Sequence, residues 1–129
     1  MATPDLPRPT DAELAILRVL WERGPSTVRD VTEALQEVRG TGYTTALKLM
    51  QIMTDKGLVQ RDDAQRTHIY TAVAAAEVTQ KQLVCDLLER AFGGSAQQLI
   101  LQALSSKKAS RAELAEIRKL IDEMEKKAK

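Results

Sequence analysis

The sequence predicts a mostly helical chain carrying one small β-hairpin, and three observations predict it. Apolar residues recur at helical spacing along most of the chain, and the period shortens to that of strands only between Leu58 and Thr71. Thr10, Thr27 and Ser110 are each followed three residues later by Glu or Asp, the spacing of a capped helix start. Aromatic residues make up only 3% of the chain, so the core must come from Leu, Ile, Val, Met and Ala, a composition that favours helices.

The elements follow in order. Residues 1–9 hold three prolines and no periodicity, which reads as a flexible leader. Thr10-Asp11-Ala12-Glu13 is a capping box, so the first helix begins there, with Leu14, Leu17 and Trp21, flanked by Ile16 and Leu20, as its buried stripe until Gly24-Pro25. Trp21 is expected in the core. Thr27 and Asp30 repeat the cap for a second helix with Val28, Val31, Ala34 and Leu35 inward, ending at Arg39-Gly40-Thr41-Gly42. A third helix starts at Tyr43 and stops at Lys56-Gly57. Leu58–Arg61 and Thr67–Thr71 then form a hairpin around Asp62–Arg66, and residues near Ser26 can add a very short third strand. Three helices followed by such a ribbon make a winged helix-turn-helix.

The third helix carries the functional signal. With about 100° per residue, Ala46, Leu49, Met50 and Met53 share the inward side, while Thr44, Lys48, Gln51 and Asp55 fall opposite. Thr, Lys and Gln can hydrogen-bond base edges or phosphates, so this face fits a major groove; an ordinary solvated face has the same composition. The net charge is only +1, so any basic footprint is local. Arg39, Lys48, Lys56, Arg61 and Arg66 supply one against Asp55, Asp62 and Asp63.

The second half is helical again. A helix over about Ala75–Phe92 presents Val84, Leu87, Leu88 and Ala91 before Gly93-Gly94. Ser95 caps a short helix with Leu99, Ile100, Ala103 and Leu104. Ser110 and Glu113 open a last helix whose Leu114, Ile117, Ile121 and Met124 form a seam of the kind that meets another helix. A segment this small is marginal alone. It either folds back on the first half or dimerises, and dimerisation suits a reader of a palindromic site. The expected domains are therefore residues 10–72, the winged helix-turn-helix, and residues 73–129, a helical dimerisation domain.

Several classes are excluded. A phosphate-binding glycine loop, a nucleophile elbow and paired helical histidines are all missing from the sequence, and Glu13, Asp30 and Glu113 have capping roles, so no enzyme, catalytic residue, cofactor or metal site is expected. The single cysteine, Cys85, lies in the apolar run LVCDLL and is expected to be a buried thiol; it fits a reducing cytoplasm. No run is long enough for a membrane span and no signal peptide pattern opens the chain.

The segments Glu13–Trp21, Thr27–Val31, Tyr43–Leu47 and Lys56–Val59, in that order, together with Phe92-Gly93-Gly94-Ser95 and the closing charged helix, resemble the penicillinase repressor family of winged-helix transcription factors, which includes β-lactamase and methicillin-resistance repressors and a copper-responsive branch. The resemblance implies a homodimer with interlocking C-terminal helices and the third helix of each copy in a major groove of a palindromic operator. Carried over by position, it gives Tyr43, Thr44, Thr45 and Lys48 as reading residues, beside Gln51 on the same exposed face. It gives Arg61 and Arg66 as phosphate contacts at the wing, a role that their charge and turn position also suit. Val84, Leu87, Leu88, Leu99, Leu114, Ile117, Ile121 and Met124 are the expected dimer interface.

Resistance repressors of the family are inactivated by proteolysis at an Asn-Phe bond, which makes an unidentified protease a candidate partner in an induction pathway. Gln102 and Ala103 stand at that bond here, so the resemblance does not carry this cleavage over. The cysteine-rich copper site is not expected either, since the closing EMEKKAK holds no cysteine. The expected function is a cytoplasmic, dimeric DNA-binding repressor resembling antibiotic-resistance regulators. The alternative is a winged-helix protein-interaction module.

Overall fold

The computed structural model describes residues 7–128. The chain runs α1 (Asp11–Arg23), α2 (Val28–Arg39), α3 (Tyr43–Lys56), β1 (Val59–Asp62), β2 (Ile69–Ala72), α4 (Ala76–Phe92), α5 (Ala96–Ser106) and α6 (Arg111–Lys127). This is the predicted mostly helical architecture with one antiparallel hairpin, in which Arg61 pairs with Tyr70 and Asp62 with Ile69. Six residues of the expected leader, 1–6, lie outside the described residues; residues 7–9 have no regular secondary structure.

Local chemistry sets the boundaries. At α1, Thr10 Oγ1 accepts from the Glu13 amide at 3.2 Å while Glu13 Oε1 accepts from the Thr10 amide at 2.9 Å. The same reciprocal pair joins Thr27 and Asp30 at 3.0 and 3.1 Å, so both helices start at full capping boxes. At α6 only one half forms: Ser110 Oγ accepts from the Glu113 amide. Gly57 closes α3 in the left-handed conformation, φ 86°, which a side chain rarely adopts, and that reversal sends the chain straight into β1.

The core belongs to the first half. Ile16, Leu17 and Leu20 from α1, Val28, Val31 and Leu35 from α2, Ala46, Met50 and Met53 from α3, and Leu58, Val59 and Tyr70 from the hairpin form one buried cluster. Each fully buried aliphatic side chain there contributes roughly 1.5–3 kcal/mol. Tyr70 is the largest of them, and its backbone exchanges hydrogen bonds of 2.8 and 3.0 Å with Ser26, the predicted third strand reduced to a single bridge.

The predicted stripes need adjustment at their margins. Leu14, Leu49, Ala34 and Trp21 are half-buried. Trp21 is a rim residue and not a core plug, because its indole N–H donates to the Ala74 carbonyl at 3.0 Å and keeps one edge of the ring at the surface. Thr32 is buried within α2, its hydroxyl satisfied by the Val28 carbonyl at 2.7 Å.

The fold divides into two compact units between Gln82 and Leu83, inside α4. In the first, Thr79 of α4 is buried. In the second, none of the described residues from 83 to 128 is buried. Cys85 accordingly corrects the expectation of a buried thiol: it is exposed, as Val84 and Leu87 near it are, because this unit buries no described residue within one chain.

Candidate nucleic-acid interface

Because Ala46, Met50 and Met53 are fully buried, α3 is fixed rotationally and its opposite face points outward. Thr44, Thr45, Lys48, Gln51 and Asp55 are all exposed, and Tyr43, 52% exposed, stands at the N-terminal end of the helix. The structure therefore presents five of the expected reading residues, Tyr43, Thr44, Thr45, Lys48 and Gln51, on one accessible helix. Thr54 is withdrawn from this face by donating its hydroxyl to the Met50 carbonyl at 2.8 Å.

Beside α3 lies an open cleft of about 660 Å³, lined among others by Arg29 of α2, Tyr43 and Leu47 of α3, and Arg66, His68 and Tyr70 of the hairpin. It joins the start of α2, the start of α3 and the wing in one surface. Arg66 is exposed and enters no ion pair among the described residues.

The cations counted from sequence are not equivalent once folded. Lys56 Nζ sits 2.7 Å from Glu13 Oε1 and 3.4 Å from the Arg8 carbonyl. Glu13 is only 3% exposed; burial alone would raise its carboxyl pKa, but the Lys56 ammonium and the Thr10 amide outweigh this and hold it below its ordinary value. Lys56 is thus a tie between the C-terminal end of α3 and the start of α1, and its charge leaves the expected basic footprint.

Arg61 is also engaged. Its Nε lies 2.7 Å from Asp63 Oδ1 and its Nη2 3.3 Å from Asp63 Oδ2, a side-on two-point contact within the wing. The Asp63 carboxylate, followed by the Tyr70 side chain, raises the pKa of the guanidinium. His68 Nε2 lies 3.6 Å from the same carboxylate. The turn is further fixed by Asp62 Oδ1, which accepts from the Ala64 amide at 2.9 Å.

Sequence reasoning missed Arg29 and the Glu13–Lys56 pair. A signal for Arg29 existed, since it directly follows the capped, inward-facing Val28. For Glu13 and Lys56, 43 residues apart in the chain, none did.

The eight residues expected at a dimer interface split by exposure. Val84, Leu87, Leu114, Ile121 and Met124 are exposed, Met124 by 68%, whereas Leu88, Leu99 and Ile117 are partly covered. Ile100, Leu101, Leu104 and Leu120 add further exposed apolar area in the same unit. No helix among the described residues is long and apolar enough to cross a membrane.

Comparison with known proteins extends this picture. A family model described as penicillinase repressor matches residues 9–123. The transcriptional regulator BlaI of Mycobacterium tuberculosis, from strains CDC 1551 / Oshkosh and H37Rv, is 35% identical over 97 residues, spanning 74% of this chain and 70% of that protein. The solution structure of the DNA binding domain of the repressor BlaI is similar over 57% of this chain and 90% of its own, with a TM-score of 0.50 and 20% identity. The monomeric form of Bacillus licheniformis BlaI, solved in complex with the blaP half-operator, gives the same TM-score and identity over 57% of this chain and 89% of its own. At that identity the two solved structures speak to the fold.

Proposed function

This chain belongs to the penicillinase repressor family, a family of transcriptional repressors and not of enzymes, and from that premise we propose that it acts as a homodimer on a palindromic operator. In this reading α3 enters the major groove, Thr44, Lys48 and Gln51 meet base edges or phosphates, Tyr43 and Thr45 flank them, and the wing lies along the backbone with Arg66 on phosphate. The helical unit from residue 83 onward, with the end of α4 and all of α5 and α6, holds the two copies at the spacing of the half-sites.

The observation that carries the groove reading is the exposed polar face of α3, held outward by three fully buried residues and adjoining a cleft with two arginines. What supports the dimer is that residues 83–128 bury nothing in one chain while carrying rows of Leu and Ile. A helical unit with no interior of its own gains one from a second copy.

The half-operator bound by the monomeric form of Bacillus licheniformis BlaI fits this assignment: half an operator for one copy, the whole for two. The test is selection of duplexes from a random library by the full chain. An inverted repeat should be enriched, and affinity for it should fall steeply as salt rises, because bound cations release counterions. Failure to enrich any duplex, with binding indifferent to salt, would favour the protein-interaction module instead.

The wing yields a sharper expectation. Asp63 offsets the charge with which Arg61 would attract a phosphate, so Asp63→Asn should strengthen binding to duplex of any sequence. The log–log salt slope should steepen by about 0.9, one more phosphate contact. Anisotropy titrations at several salt concentrations read this directly; an unchanged slope would make Arg61 a brace of the turn and not a DNA contact.

A further inference from the structure

The cations around α3 fall into two groups, and the distinction identifies a contact outside the reading helix and the wing. Lys56 and Arg61 are neutralised within the fold by Glu13 and Asp63. Arg29, Arg39, Lys48 and Arg66 are exposed and enter no ion pair among the described residues. Lys48 lies on the reading face. Arg29 and Arg66 instead line the same cleft from different elements, Arg29 from the first turn of α2 and Arg66 from the hairpin turn, with Tyr43 of α3 also lining it.

The position of Arg29 is fixed by its neighbours. Val28, one residue before it, is 7% exposed and anchored in the core. Asp30, one residue after it and the nearest carboxylate in sequence, is occupied by the Thr27 amide at 3.1 Å. The guanidinium therefore projects from a rigid, capped helix start and forms no ion pair with Asp30 or with Glu33, the acid one turn further along α2. A cation held this way, beside a helix that lies in a groove, faces the strand bordering that groove.

We propose that Arg29 is a positioning residue for DNA: it meets a backbone phosphate of the strand that enters the cleft, opposite Arg66, and so fixes the angle at which α3 sits in the groove. The proposal rests on the DNA-binding reading above. Its ligand is the phosphodiester, so it adds affinity without reading sequence. Arginine suits the role through its planar, permanently charged fork.

The experiment measures binding of full-length Arg29→Ala and Arg29→Lys to the duplex selected by the wild-type chain and to a mixed-sequence duplex of equal length, across a salt series. Arg29→Ala should lose affinity for both duplexes by the same factor and flatten the log–log salt slope by about 0.9. Arg29→Lys, which keeps the charge, should retain the slope. Thermal melting of both variants should match the wild type, since the residue is exposed. A steep wild-type slope left unchanged by Arg29→Ala would overturn the proposal, as would a loss confined to one base pair of the selected site. A wild-type chain with no salt-dependent binding would overturn the DNA-binding reading itself, a result distinguishable from either.

Discussion

Replacing Ile117 with glutamate in the full-length chain is expected to give a folded monomer whose affinity for its palindromic operator falls to that of a single half-site. The expectation follows from where burial is and is not found. The core of the first unit draws on α1, α2, α3 and the hairpin, and includes nothing from α6. Within one chain Ile117 is only partly covered, and Leu114 and Ile121 beside it on α6 are exposed, so a carboxylate there leaves the fold of the single chain unchanged. In a dimer it would be an unpaired charge inside an apolar seam, which is costly. Once the copies separate, the second half-site no longer benefits from the effective concentration set by the first, a factor on the order of 10²–10⁴.

Sedimentation and operator titration together check this. A wild-type chain that is monomeric at micromolar concentration and still binds its operator tightly would end the dimer model. Removing residues 83–129 should act in the same direction as Ile117→Glu. The cut belongs after Gln82 and not at the expected boundary near residue 73, because Ala74 receives the Trp21 indole N–H and Thr79 is buried within the first unit.

The second large effect is expected on α3. Lys48→Ala and Thr44→Ala should each weaken operator binding by about tenfold or more per half-site, since a good base contact is worth about 1–3 kcal/mol. On a palindrome the loss compounds, because both copies carry the substitution. Both side chains are exposed and opposite Ala46, Met50 and Met53, so melting temperatures should stay within error of the wild type. Binding of mixed-sequence duplex separates their roles: a loss limited to the selected operator marks a base contact, and an equal loss on both marks phosphate. Unchanged affinity in both variants would remove α3 from the reading role.

The sequence by itself determined what depends on neighbours a few residues apart. Thr10 with Glu13 and Thr27 with Asp30 sit within one turn of each other, so their capping boxes are written locally and locate the starts of α1 and α2. Gly57 ends α3 because its left-handed backbone is a property of one residue. The inward face of α3 follows from the helical period alone, and with it the outward set of Thr44, Lys48 and Gln51.

Tertiary structure decided which charges remain available. Lys56 and Glu13 meet only because α3 and α1 pack side by side, and the pairing withdraws a cation that sequence counting had placed in the basic footprint. Arg61 and Asp63 are close in sequence, but their two-point contact needs the hairpin turn to bring the guanidinium alongside the carboxylate. Arg29 joins the wing only because the bridge between Ser26 and Tyr70 ties the start of α2 to the hairpin. Cys85 was misjudged for the converse reason: an apolar run signals a face that prefers burial, and whether anything covers that face is a property of the assembled molecule, where a single chain leaves residues 83–128 without an interior.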